Sequence, residues 1–84
     1  MSYTEALAQL KAARPIVDKI RYTRFGWHTS PEEFAVLEEI QQVLQKFSYS
    51  KELLSDAGWT SLDVSFLHGR LNYYRTHEHA TLKH

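Results

Sequence analysis

Apolar residues recur at helical spacing along most of this chain, and polar residues fill the faces between them. The clearest case starts at Ser30-Pro31-Glu32-Glu33. Ser30 can cap a helix, Pro31 suits the first helical position, and Glu33 closes a capping box. Val36, Leu37, Ile40, Val43, Leu44 and Phe47 then share one face, while Glu38, Glu39, Gln42, Gln45 and Lys46 share the other. Acidic residues lead and Lys46 follows near the end, the order that the helix dipole favours. This spacing predicts a helix over residues 31–47, the wall against which the rest packs.

The N-terminal stretch carries a second stripe: Tyr3, Ala6, Leu7, Leu10, Ala13, Val17 and Ile20. Ser2-Tyr3-Thr4-Glu5 offers another capping box at its start. Pro15 removes one backbone hydrogen bond and crowds the preceding turn. The stripe keeps its phase across it, so a single helix over residues 3–22, kinked near Pro15, is preferred to two short ones. Gly26, in the connection that follows, is the expected terminator, supplying the left-handed conformation after the helix end. Ser50 can cap a short helix over 51–57, stopped by Gly58. Thr60 or Ser61 can cap a last helix over 62–75, with Asp63 in its first turn.

The expected fold is therefore all-α: a small three- to four-helix, orthogonal or bundle-like domain. The chain reads as one domain over 1–84, with a polar tail that frays from about residue 76. The expected core holds Leu7, Leu10, Val17, Ile20, Val36, Leu37, Ile40, Val43, Leu44, Phe47, Leu53, Leu54, Val64, Leu67 and Leu71.

Composition narrows the function classes. The chain has 84 residues and no cysteine, which excludes a disulfide scaffold and a cysteine-based zinc site. It has no apolar run long enough to cross a membrane and no signal-peptide pattern, so a cytoplasmic location is the default expectation, with no membrane partner. Net charge is zero, but its distribution is uneven. Lys11, Arg14, Lys19, Arg21 and Arg24 face only Asp18 over residues 11–24, and the glutamates of the second helix follow. The simplest reading is that these two helices lie side by side and complement each other; the other is a basic patch for an acidic partner or a phosphate backbone.

Four constellations bear on chemistry. Residues 50–67 loosely resemble a helix-turn-helix unit, with Trp59, Val64 and Leu67 at positions that would be buried. Leu54 stands where that unit wants a small residue. Leu62 and Phe66 would lie on the base-reading face, and Asp63 would face phosphates. The last helix itself divides into two apolar stripes: Val64, Leu67, Leu71 and Tyr74, and roughly opposite them Leu62, Phe66 and Tyr73 beside Gly69. One stripe is expected to pack on the second helix and the other to remain partly exposed, as a protein-contact or self-association surface. The five histidines, His77, His79 and His84 among them, read as surface or core-edge residues and not as a metal site. No catalytic set is identifiable, and the glutamate pairs lie on a polar helix face without a cleft to shift them. No cofactor and no enzymatic activity are expected.

The reading that follows is a small non-enzymatic protein that binds another protein: a regulator, an adaptor, or an inhibitor that covers a surface of a larger partner. A dimeric helix-turn-helix DNA-binding regulator is the first alternative, and a structural subunit of a homo-oligomer the second. The candidate contact residues are Arg21, Arg24, Phe25 and Trp27 around the first connection, and Leu62, Phe66, Arg70 and Tyr73 on the last helix, since aromatics and arginines most often carry binding energy.

Overall fold

A computed structural model describes residues 1–23 and 29–77. Helix α1 spans Tyr3–Thr23, α2 Pro31–Lys46, α3 Lys51–Asp56 and α4 Ser61–Thr76. The protein is all-α and bundle-like, and no helix is long and apolar enough to cross a membrane. Helix α1 runs uninterrupted through Pro15. The amide that Pro15 lacks costs one hydrogen bond, and the continuous apolar stripe holds the helix together across the gap.

The start signals in the sequence form as hydrogen bonds. In α1 the Ser2 hydroxyl accepts from the Glu5 amide at 3.2 Å and Glu5 accepts from the Ser2 amide at 3.2 Å. In α2 the reciprocal pair joins Ser30 and Glu33 at 3.1 and 2.9 Å. In α4 it joins Thr60 and Asp63 at 3.3 and 2.7 Å. Each box satisfies donors that a helix start leaves open. Ser50 caps α3 through the Leu53 amide, and Gly58, at φ 74°, turns the chain out of it.

Helix α1 runs antiparallel to α2: the Tyr3 ring meets Phe47 edge-on at the far end of α2. Helix α4 also runs antiparallel to α2. Phe34, near the start of α2, stacks at 4.1 Å on Tyr74 near the end of α4, and Tyr49, just past α2, bonds to His68 halfway along α4. Arg75 closes that seam on Glu38 at 3.2 Å. The short α3 packs under α1, where the Tyr3 hydroxyl donates to Asp56. That bond, ahead of the loss of solvation, pushes the phenol up to about 12.

The core joins all four helices through Leu10, Val17 and Ile20, Leu37, Ile40, Val43 and Leu44, Leu53, and Leu67 and Leu71. Leu7, Phe47 and Leu54 pack partly buried against it. Two residues expected inside stand at its edge. Val36 is half-buried and lines, with Ile16, a shallow depression between α1 and α2, and Val64 is half-buried on the other side of the domain. Ala6, Ala13, Ala57 and Trp59 are buried although the expected core omits them. Small side chains on α1 let its backbone come close to its neighbours. Trp59 is 3% exposed and donates its indole N–H to the Leu10 carbonyl at 3.0 Å, so the turn between α3 and α4 is pinned to the middle of α1.

Leu67 is fully buried where α4 meets this core. Leu67→Ala should cost about 2–5 kcal/mol, the range for emptying a packed leucine site. A chain this short holds only roughly 4–12 kcal/mol in total. Urea unfolding should therefore show a midpoint lowered by about a sixth or more at unchanged slope; a shift under about 0.5 kcal/mol would show that the site collapses without loss.

Candidate functional site

Helix α4 has two buried polar residues, Asp63 at 4% and Arg70 at 5% exposure. At 100° per residue both fall between the two apolar stripes, on the side turned inward with Leu67 and Leu71. Asp63 does two jobs there. Its carboxylate caps α4, accepting from the Thr60 amide at 2.7 Å and the Thr60 hydroxyl at 3.0 Å. It also accepts from Arg14 at 2.8 and 3.0 Å and from Arg21 at 2.9 Å. Those arginines stand seven residues apart on α1, hence on one face. Arg14 is further held by Asp18 at 2.6 Å. Burial alone would raise the Asp63 carboxyl, but Arg14, then the Thr60 amide and hydroxyl, hold it below the usual carboxylate range. Asp63 in turn raises Arg14.

This overturns one expectation and redirects another. Asp63 does not face outward toward phosphates; it is covered and neutralised from α1. Arg14 and Arg21 of the basic segment turn to Asp63 on α4, while Glu38 of the acidic helix meets Arg75, also on α4. Their charge complementarity is intramolecular, but α4 supplies the partners.

Arg21 then reaches further. Its guanidinium lies 5.5 Å from the Tyr22 ring centre and 5.7 Å from the Phe66 ring centre. Arg70 lies under the same Phe66 ring at 5.2 Å and donates to Thr29 at 3.5 Å. One turn before Phe66, Leu62 is 66% exposed, and Tyr22 is 74% exposed. Tyr22 and Arg21 from α1 and Leu62 and Phe66 from α4 thus form one aromatic–arginine surface. Tyr73 is half-buried farther along, its ring stacked at 4.0 Å on His77. Arg24, Phe25 and Trp27 lie outside the described residues, as do His79 and His84. Arg70 is corrected from a contact residue to an interior one: it sits 80° from Leu62 on the helix wheel, under Phe66, and is buried. Tyr22 is the surface residue that the candidate set omits; its place two residues after Ile20, off the buried stripe of α1, was the available signal.

Helices α3 and α4 follow one another across the Gly58 turn in helix–turn–helix order, but the two do not close on each other. A groove of about 600 Å³ separates them, floored by Tyr49, Leu54, Trp59 and Val64. Leu54, too large for a tight crossing, lies in that floor. The open early face of α4 carries Ser61, Leu62 and Ser65, all exposed. Among the described residues no group of three or more metal-ligating side chains comes together.

No model of a known protein family matches the chain, and no curated protein or solved structure matches it.

Asp63→Asn keeps a cap but leaves Arg14 and Arg21 without their anion. Removing one partner of a buried pair costs about 3–5 kcal/mol. The lower end applies here, since Arg14 and Arg21 side chains are 22% and 27% exposed and can turn to water. The sign with pH follows from the lowered carboxyl. Its contribution is complete above the ordinary carboxylate value and is lost as pH falls through the lower folded value, so the loss belongs below roughly pH 4. Urea unfolding from pH 7 to pH 2 should show a steep acid limb below that point in the wild type and a flatter one in Asp63→Asn. Parallel acid limbs would remove Asp63 from the account.

Proposed function

We propose that this chain is a non-enzymatic protein-binding domain, acting as a regulator, adaptor or inhibitor by seating the Tyr22–Arg21–Phe66–Leu62 surface on a larger protein. The observation that carries the reading is Arg21: held by buried Asp63, it lies between the rings of Tyr22 and Phe66. Tyr22, next to it on α1, and Leu62, one turn before Phe66, are more than half exposed. Exposed aromatic and aliphatic groups around a fixed arginine supply the side chains that dominate protein interfaces. Fixing them beforehand lowers the ordering cost of association. The partner such a surface suits presents apolar side chains with a carboxylate near them, to meet the outer edge of the arginine.

The charged groups support the non-enzymatic reading. Asp63, Glu5, Glu33 and Arg14 serve caps and ion pairs, and Glu38 serves the α2–α4 seam. None of these carboxylates lines the groove between α3 and α4.

The helix-turn-helix reading stays second. The burial of Asp63 removes one objection to it, but Leu62 still stands on the face that should read bases, and base edges call for arginine, asparagine or glutamine.

Leu62→Asp and Tyr22→Ser change exposed positions and should leave helicity and urea midpoint within about 0.5 kcal/mol of the wild type. Size-exclusion chromatography with light scattering, at low and high salt, should give a monomer for all three proteins. A cross-linked partner found with the wild type should be absent with both variants. A dimer at both salts that Leu62→Asp disperses would make the occupant a second copy. Binding to duplex DNA that falls steeply with salt would favour the regulator reading instead.

A further inference from the structure

The groove between α3 and α4 has a composition that the fold does not require. Its floor is apolar and aromatic: Tyr49, Leu54, Trp59 and Val64. Its rim is polar: Lys51 and Ser55 from α3, Ser61 and Ser65 from α4. All four rim residues are exposed, and none of their side chains bonds to another described residue. The acids of α3 are turned elsewhere. At helical spacing Glu52 and Asp56 are centred about 100° round the helix from Lys51 and Ser55; neither lines the groove, and Asp56 is engaged by Tyr3. Among the described residues no carboxylate lines the groove, and the one formal charge there is the Lys51 ammonium.

Tyr49 is placed there at a cost. Ser48 and Tyr49 both take the left-handed backbone, at φ 53° and 52°, where a side chain costs about 1–2 kcal/mol per residue. Their amides close α2, bonding to Gln45 and Leu44 carbonyls at 3.0 and 2.8 Å. Glycine would meet that need with less strain. The chain instead has tyrosine there, with its hydroxyl fixed on His68 at 2.9 Å and its ring standing along the groove. Strain of this kind persists where surrounding contacts over-determine it, and it clusters at binding sites.

We infer that this groove binds a small amphipathic anion, an aryl or alkyl carboxylate. Its apolar body lies along Tyr49, Leu54, Trp59 and Val64, and its carboxylate meets Lys51 and the serine hydroxyls. The volume of about 600 Å³ falls within the range of small-molecule sites, and an apolar floor with a few convergent polar groups is their usual make-up. The site is separate from the Tyr22–Phe66 surface and does not depend on it.

The probe is 6-phenylhexanoate, with its primary amide as the uncharged control. In Trp27→Phe, Trp59 is the remaining tryptophan, and its emission reads the groove floor directly; calorimetry on the unaltered chain gives the second measurement. Saturable one-site binding of the carboxylate in both is expected. Ser65→Phe, at an exposed rim position, fills the groove and should weaken binding at least tenfold. Lys51→Glu should weaken the carboxylate at least fivefold and leave the amide unchanged. The inference is overturned by the absence of saturable binding in either measurement, or by wild-type affinity in a folded Ser65→Phe. Equal affinity for carboxylate and amide, unmoved by Lys51→Glu, overturns the assignment to an anion.

Discussion

The fold depends on a carboxylate that cannot be left alone. Asp63 is needed at the start of α4 because a helix start exposes amides that a capping carboxylate satisfies. It is also buried, and a buried ionised carboxylate is costly unless several donors surround it. Thr60 supplies local donors, and the cations come from α1. The first turn of α4 must therefore lie across the second half of α1. Once it does, Trp59 is in reach of the Leu10 carbonyl, and Leu67 and Leu71 point into the space beside α2. A generic apolar core would tolerate several placements of α4. The three-way ion pair selects one.

That constraint also explains which parts of the molecule were legible in the sequence. Helix starts were, since Ser2, Ser30, Ser50 and Thr60 announce caps by residue type and spacing, and all four cap as expected. The stripes of α1 and α2 were, since each buries one face. Helix α4 was harder. Its buried side contains Asp63 and Arg70, and a periodicity argument counts both as outward. Arg14 and Arg21, one face apart by seven residues, flank the buried Val17; a cation pair bracketing an apolar stripe was the signal for a buried anion elsewhere. Val36 was misplaced because it follows the stripe of α2, but the neighbouring helix contributes Ala12, Ala13 and Ile16 at that point and does not close over it. The candidate contact surface was legible as two separate halves, one on each side of the first connection. Only the geometry around Arg21 joins the halves.

A single arginine links stability and surface chemistry. Its inner contact with Asp63 fixes the guanidinium, and the fixed guanidinium orders two rings around it. Arg21 loses side-chain freedom on folding, so a partner that touches Tyr22 or Phe66 does not meet that cost again. The same link makes Arg21 a poor place to probe binding. Its removal would loosen the helix crossing and the surface together. Leu62 and Tyr22 carry no such burden and report on the surface alone.

Helix α4, 16 residues long, serves three sides at once. Leu67 and Leu71 give it a core face, Leu62 an outer face edged by Phe66, which is half-buried against the core, and Ser61, Val64 and Ser65 one side of a groove. A helix with one purpose would show one stripe. Dispersing apolar residues around α4 weakens its amphipathic character, and the fold compensates with directional bonds in place of area: the Asp63 box, the Trp59 indole, and the Tyr49 and Arg75 contacts. Each of these fixes the position of α4 without covering its outer faces. Area-driven packing would have required α1 or α3 to close over them. Directional anchoring at few points is thus what leaves both an aromatic surface and an apolar groove open on so small a domain.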